Sequence, residues 1–291
     1  MKELRQITVI GLGLLGGSIS LAAMRSLPQV KVAGYSHRPS TRRKAKKLAP
    51  GLKIFNDLKA SVVSADLVIL ATPICTFEAM FKEIADVLPH SCIVTDVGST
   101  KVLPHKWAEK TLPETIFYVG SHPISGSEQR GVEFARDDLF VQSLCIVTKT
   151  NKTDKESLQT VATFWSTLGC DVKFMSPKQH DKILASVSHL PHIAAAAMIN
   201  TENINDLKFA GKGFMDTSRI ASGPANIWAD IFFTNTANCV ACIDKLITEL
   251  NKFKKAIKSK DKKQIEKLLQ QARNKRGAFI EYKLKRKELI T

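Results

Sequence analysis

The sequence predicts an α/β protein in two parts: a doubly wound, mostly parallel sheet over residues 1–175, then an all-α domain over residues 176–291. Three observations predict it. Short apolar runs alternate with helical patterns through the first part, as parallel strands joined by crossover helices require. A glycine-rich turn joins the first strand to the first helix. Strand signal then fades at Ser176-Pro177, where a capping serine precedes a proline suited to the first helical position. A chain of 291 residues, 44% hydrophobic and 24% charged, has the length for two cores and an ordinary globular balance.

Ile7-Thr8-Val9-Ile10 is the first strand, Ser18–Arg25 continues the first helix, and Val30–Tyr35 is the second strand. Leu67–Ala71 is a continuous apolar run after Ser64-Ala65-Asp66, and Cys92–Asp96, Phe117–Val119 and Leu144–Thr148 are further runs. A helix over Lys155–Leu168 and a strand over Asp171–Met175 close this part. No repeat or low-complexity linker interrupts it. The stretch Ile193–Ile199 is too short to span a bilayer. The apolar start runs straight into Gly11-Leu12-Gly13, which reads as strand and turn and not as a cleavage site. A cytoplasmic protein is therefore expected, and its 6 scattered cysteines are expected to be reduced thiols. Cys239 and Cys242 lack a second ligand pair, so they are read as core packing on one helix face and no metal is expected.

The net charge is +16, and Asn251–Thr291 holds about 15 Lys and Arg against about 4 Asp and Glu. A basic tail raises nucleic-acid binding as a function class. Yet the segment keeps a helical apolar period, through Leu246, Leu250, Phe253 and Ile257, then Ile265, Leu268, Leu269 and Ala272, and has few aromatics to stack on bases. It reads as amphipathic helices with a solvated basic face. Its positive field draws in anionic small molecules, and nucleic acid and membrane are set aside as partners.

Gly11-Leu12-Gly13-Leu14-Leu15-Gly16 is a G-x-G-x-x-G, weak alone but here placed after a strand and at the opening of a helix. Gly11 allows the tight turn, Gly13 lets backbone approach a pyrophosphate, and Gly16 lets helix and strand pack closely. The helix N-terminus offers unpaired N–H groups to phosphate. This is a Rossmann-type nucleotide cradle; the alternative is a glycine turn without a ligand. The fingerprint places an acidic residue about 20 positions later, to bind the ribose 2′-hydroxyl. Ser36 stands there, in Tyr35-Ser36-His37-Arg38, with Ser40, Thr41, Arg42 and Arg43 close by. A 2′-phosphate needs cations and hydroxyls and is repelled by carboxylate, so NADP is read as preferred, NAD remaining open, with Ser36, His37, Arg38 and Thr41 as contacts. The alternative is that Arg42 and Arg43 solvate a helix face. Ala71-Thr72-Pro73 ends a strand at the carboxyl edge of the sheet, where such folds bind ligands, and is placed on the cofactor cleft.

Four further segments stand out: Asp96-Val97-Gly98-Ser99-Thr100-Lys101, Gly120-Ser121-His122-Pro123-Ile124-Ser125-Gly126-Ser127-Glu128, His180 through Ser188-His189-Leu190-Pro191-His192, and Asp216-Thr217-Ser218-Arg219. In this order, behind a dinucleotide loop, they resemble the prephenate/arogenate dehydrogenase family of tyrosine biosynthesis over nearly the whole chain. The resemblance implies oxidative decarboxylation of prephenate to 4-hydroxyphenylpyruvate and CO2, with hydride passed to the nicotinamide, or of arogenate to tyrosine. It implies that His122 accepts the proton of the 4-hydroxyl, that Ser99 orients it, and that Arg219 holds a substrate carboxylate. Ser127, Glu128, Ser188 and His192 would line the pocket, and the helical domain would form a homodimer. Physical chemistry agrees: an alcohol losing hydride must lose a proton, and a neutral imidazole with a pKa of about 6.5 takes it near neutrality. A guanidinium suits a carboxylate.

Plainer readings stand beside these. His122 is a satisfied loop histidine, His189 packs a helix, or Arg219 pairs with Asp216. Three departures from the family pattern are the missing acid at Ser36, Ser121 where many members have glycine, and Ser127 where threonine is commoner. The rival enzymes, 3-hydroxyacid dehydrogenases and imine reductases, place an acid/base lysine in the second domain's first long helix, where Lys178 and Lys182 stand. A rival of another class is an NADP-sensing regulator with a nucleic-acid-binding tail.

Overall fold

The computed structural model describes residues 3–125 and 129–285. β1 (Gln6–Ile10), α1 (Leu14–Ser26), β2 (Lys31–Tyr35), α2 (Pro39–Leu48), β3 (Lys53–Phe55), α3 (Leu58–Val62) and β4 (Leu67–Leu70) form the first half of the sheet. α4 (Phe77–Ile84), β5 (Ile93–Asp96), α5 (Val102–Thr111) and β6 (Phe117–Tyr118) complete it. The strand order is β3-β2-β1-β4-β5-β6, every pairing parallel. The order reverses between β1 and β4, and the crevice at their carboxyl ends is the ligand site of such sheets.

Successive residues on a strand point to opposite faces, and both faces here are covered. Ile7 and Val9 of β1, with Leu67 and Ile69 of β4, pack against Ile19 and Ala22 of α1. Ile10, Val68 and Leu70 point the other way, into Phe77, Phe81 and Ile84 of α4. All are buried. Two strands escape the apolar-run criterion. β3 has only three residues, and β7 (Ser121–Ile124) reads as a loop because of its histidine and proline.

The chain then leaves the parallel sheet. β7, β8 (Leu144–Thr148) and β9 (Asp171–Met175) form a separate sheet, β7–β8 antiparallel and β8–β9 parallel across α6 (Lys155–Thr167). Only Val119 and Gly120 separate β6 from β7, too few for the crossover that a parallel partner needs. Pro123, which cannot donate to a ladder, is tolerated because β7 is an edge strand.

Ser176 caps α7 (Pro177–Leu184) by accepting the Gln179 N–H, with Pro177 in the first turn, as the sequence predicts. A π turn, Ala185–His189, leads without a break into α8 (Leu190–Asn200). Pro191 has no N–H and crowds the preceding turn, and the wider π turn takes up the mismatch. By length and composition Pro177–Asn200 is apolar enough to cross a bilayer, but its buried His180, Asp181, His189 and His192 belong to the site below. α9 (Lys212–Ser218), α10 (Ala225–Thr234), α11 (Thr236–Lys258) and α12 (Lys262–Lys285) follow. Contacts divide the chain into two compact units, Met1–Cys239 and Val240–Thr291. In the second, Leu250, Ile257, Leu269 and Phe279 are exposed.

Candidate active site

The glycine loop sits at the crevice. Gly11 has φ +99°, and a Cβ there would lie 2.6 Å from the Ala71 carbonyl oxygen and 2.7 Å from Thr72 Cγ2. A Cβ on Gly16 would lie 1.9 Å from the Gly11 carbonyl oxygen. Gly13 differs: nothing lies within 4 Å of its absent Cβ, so this backbone faces open space. Packing demands two of the glycines, and the third leaves room for a ligand at the start of α1, whose first turn holds no acidic residue. Leu12 is buried beneath Gly34, so only its backbone faces the loop, and Leu14 and Leu15 pack on the core. This cradle fits a dinucleotide pyrophosphate.

At the end of β2, Ser36 is buried and its Oγ accepts the Arg38 N–H at 3.4 Å. Arg42 Nη1 donates to the Ser36 and His37 carbonyls at 2.7 and 3.1 Å, so Arg42 braces the turn. Arg38 Nε donates to His37 Nε2 at 3.2 Å, and both side chains are exposed. Thr41 lies in the first turn of α2, half-buried. Thr72 Oγ1 pairs with Thr76 Oγ1 at 2.8 Å beside the glycine loop.

His122 lies on β7, and its Nδ1 is 2.9 Å from Nε2 of His180 on α7. His180 Nδ1 is 2.8 Å from Asp181 Oδ1. That carboxylate also accepts the backbone N–H groups of Lys101 (2.7 Å) and Val102 (2.9 Å), at the start of α5. These contacts fix the protons. A carboxylate only accepts, so His180 carries hydrogen on Nδ1 and presents a bare Nε2. His122 then donates from Nδ1 and presents a bare Nε2, which has no hydrogen bond among the described residues. Burial first, then His180, Lys101 and His189, holds the His122 pKa well below 6.5. Burial, then Lys101, pushes His180 down to about 2. Burial raises the Asp181 carboxyl, against its two N–H donors.

Behind this chain Lys101 is fully buried. Its Nζ donates to Asp96 and, at 2.7 Å, to the Ser121 carbonyl oxygen. Asp96 also accepts from Gly98 N (2.6 Å) and Tyr118 OH (2.6 Å). Lys101 thus ties the β5–α5 turn to the strand that carries His122. Ser121 Oγ donates to the Asp96 carbonyl (2.5 Å), accepts from Trp165 Nε1 (2.9 Å) and pairs with Thr95 Oγ1 (2.9 Å). The serine at this glycine position is a fully used node. Ser99 lies in the same turn, half-buried; its hydroxyl makes no hydrogen bond among the described residues, and His122 takes His180 as its partner instead.

On α8, His192 stacks on Trp228 of α10, ring centroids 3.7 Å apart. The turn Arg219–Ser222 ends at Gly223, where a Cβ would lie 2.4 Å from Trp228 Nε1 and 2.8 Å from His192 Cε1. The turn bearing Arg219 therefore lies directly over the His192 stack. Arg219 is exposed, and Asp216, exposed too, makes no ion pair among the described residues. Ser188 is half-buried on the π turn. The Nδ1 of His192 and the Nε2 of His189 are buried and have no hydrogen-bond partner among the described residues. Asn235 Nδ2 donates to the Asp181 carbonyl oxygen (2.8 Å) and lies 3.2 Å from His189 Nδ1, joining α7 to the π turn. Ser127 and Glu128 lie outside the described residues. Lys178 and Lys182, the rival acid/base positions, are exposed. Cys239 lies buried 3.8 Å from His189, and among the described residues no His/Cys/Asp/Glu cluster has the makings of a metal site.

The sequence alone assigns no task to His180, Asp181, Lys101 or Trp228. The adjacent His180-Asp181 pair in the first helix after Met175, and the lysine closing Asp96–Lys101, are the signals available. Only the fold turns both toward β7.

A doubly wound sheet with an open glycine cradle, beside a neutral histidine that presents a bare ring nitrogen, fits a nicotinamide-dependent dehydrogenase. Two family models match the chain in succession: one described as "Prephenate dehydrogenase, nucleotide-binding domain" over residues 19–174, the other as "Prephenate dehydrogenase, dimerization domain" over residues 176–271. The chain belongs to the prephenate dehydrogenase family. A prephenate dehydrogenase of Bacillus subtilis is 34% identical over 266 residues, covering 88% of this chain and 71% of the relative. A cyclohexadienyl dehydrogenase of Zymomonas mobilis is 31% identical, covering 90% and 91%. Among solved structures, prephenate dehydrogenase from A. aeolicus in complex with hydroxyphenyl propionate and NAD+ superposes with a TM-score of 0.88 at 32% identity, covering 96% of this chain and 99% of that one.

Proposed function

We propose that the chain oxidises prephenate to 4-hydroxyphenylpyruvate and CO2, with NADP+ as the preferred acceptor. One observation carries the reading: the hydrogen-bond chain Asp181–His180–His122 ends in a bare, neutral Nε2 on the edge strand β7. The bound nicotinamide supplies a hydride acceptor for the ring carbon that bears the hydroxyl. His122 Nε2 takes the hydroxyl proton, and the charge it gains is spread through His180 toward the Asp181 carboxylate. Arg219 holds the side-chain carboxylate, beside His192. The ring carboxylate leaves as CO2, its bonding pair enters the ring, and the proton on His122 returns to the product oxygen. Leaving that carboxylate without a strong partner favours its loss, since only interactions stronger in the transition state speed the step. Ser99 and Ser188, with Ser127 and Glu128 on family resemblance, complete the substrate site.

Residues 1–175 serve the cofactor and residues 176–291 the substrate and a homodimer. Supporting this division, β9 ends at Met175, Ser176 caps α7, and the two family matches meet there. Supporting the dimer are the match of residues 176–271 to a dimerization domain and the exposed apolar residues of α11 and α12. The six cysteines, none in a disulfide, suit a cytoplasmic site of action.

The test is nicotinamide reduction by the purified protein in a grid of prephenate or arogenate against NADP+ or NAD+. Turnover with prephenate is expected, faster with NADP+. Turnover with arogenate alone would move the reading to that substrate, and silence in every well would end it. For the cofactor, Ser36→Asp puts a carboxylate at the end of β2 and is expected to shift preference from NADP+ toward NAD+, on the order of tenfold or more by like-charge repulsion. An unchanged preference would show that the 2′-phosphate lies elsewhere.

A further inference from the structure

The glycine loop continues past its fingerprint into Gly17 and Ser18, which the cofactor does not explain. Gly17 lies buried in the first turn of α1. A Cβ there would lie 2.8 Å from Ala135 Cβ and 3.1 Å from Val132 Cγ2. Both residues belong to the connection between β7 and β8, which makes a 3-10 turn at Val132–Phe134. Next door, Ser18 Oγ accepts the backbone N–H of Arg136 at 3.0 Å. Gly131, at φ +99°, turns the chain into this seat. Two ion pairs flank it, Lys44–Glu133 (2.7 Å) and Arg25–Asp137 (2.9 Å). Both are largely exposed and weak, so the notch at Gly17 and the hydrogen bond to Ser18 carry the docking.

We infer that Gly17 and Ser18 are positioning residues: they seat the β7–β8 connection on the helix that receives the cofactor phosphates, and so fix the strand bearing His122 relative to the nicotinamide. The reasoning is geometric. The glycine cradle and α1 place one reactant, and β7 places the base. From this seat on α1 the chain runs into β8, which pairs with β7 and places Ile146 opposite His122. A methyl group at Gly17 must push the two apart, because methyl groups do not approach to 2.8 Å. The cradle residues Gly11, Gly13 and Gly16 keep their own contacts, so cofactor binding is left in place while its alignment with the base is lost. The inference rests on the reading of His122 as the base.

The experiment compares Gly17→Ala, Ser18→Ala and the double variant Gly17→Ala/Ala135→Gly in the full chain. kcat with prephenate is expected to fall on the order of 10- to 100-fold in Gly17→Ala, the scale for a misplacement approaching 1 Å. A smaller fall is expected in Ser18→Ala. The Kd for NADP+, read by tryptophan fluorescence, is expected to stay within about twofold, since helix-terminus phosphate contacts are untouched. Ala135→Gly removes the opposing methyl group and is expected to restore most of kcat in the Gly17→Ala background, and the unchanged NADP+ Kd of Gly17→Ala separates lost alignment from a general folding defect. Normal kcat in Gly17→Ala, or a loss that Ala135→Gly fails to restore, would overturn the inference. The two readings come apart cleanly: an inactive His122→Asn beside a fully active Gly17→Ala sinks this inference alone, whereas an active His122→Asn sinks the base assignment.

Discussion

His122→Asn is expected to lower kcat by about 10²–10⁴-fold, the usual contribution of a positioned general base, while leaving the Kd for NADP+ nearly unchanged. Asparagine can still donate to His180 Nε2, 2.9 Å from the present Nδ1, so the chain to Asp181 survives and only the bare Nε2 is lost. The cofactor cradle is built from other elements, Gly11 to Gly16 and Ala71, and does not depend on His122. The pH profile sharpens the test. With its pKa held well below 6.5 by burial, then by His180 and Lys101, His122 stays neutral on the acid side of neutrality. The acidic limb of kcat/KM in the native protein should therefore lie below pH 6.5. Asp181→Asn should lose less turnover than His122→Asn, because it disturbs the base only through His180. Near-native turnover in His122→Asn would remove the histidine from the chemistry altogether.

Much of this site is legible before any coordinates. The glycine fingerprint after a strand, the missing acid at Ser36 and the Ser176-Pro177 helix start are local signals, and local signals survive folding. His122, His192 and Arg219 are marked by their place in segments that resemble the prephenate/arogenate dehydrogenase family. What stays hidden is non-local. His180 and Asp181 look like an ordinary polar pair in a first helical turn. They become the support of His122 only because the fold brings His180 of α7 against His122 of β7, with Asp181 accepting the N–H groups at the start of α5. β7 itself is hidden because Pro123 and His122 break the apolar alternation, yet an edge strand paired on one side accepts both. Ser121 reads as a tolerated change from glycine, and the structure makes it a junction of Thr95, Asp96 and Trp165.

The buried rings in and around this site should make the fold acid-sensitive. Burial pushes His105 and His189 down to about 4 and His180 to about 2, and holds His122 lower than 6.5 as well. Each ring is neutral when folded but takes a proton near pH 6.5 once unfolded. The unfolded chain therefore binds more protons below that pH. The stability these rings contribute is complete above about pH 6.5 and is lost as pH falls toward their folded values. The slope approaches about 1.4 kcal/mol per pH unit for each ring, so the rings whose folded values lie near 4 or below can together remove a large share of a typical stability of about 5–15 kcal/mol over about two units. Asp181 acts in the opposite sense, since burial raises its carboxyl, but one group does not reverse four. Urea midpoints measured from pH 8 to 4.5 should be flat down to about 6.5 and fall steeply below it. His105→Gln is a clean probe of one ring, because a glutamine can keep the contact with Thr148 Oγ1, now 2.9 Å from His105 Nε2, while losing the proton site. That variant should show a shallower acid slope than the native chain. A midpoint that stays level through pH 5 would mean that these rings remain accessible to protons in the folded protein, and the neutral relay behind His122 would fall with it.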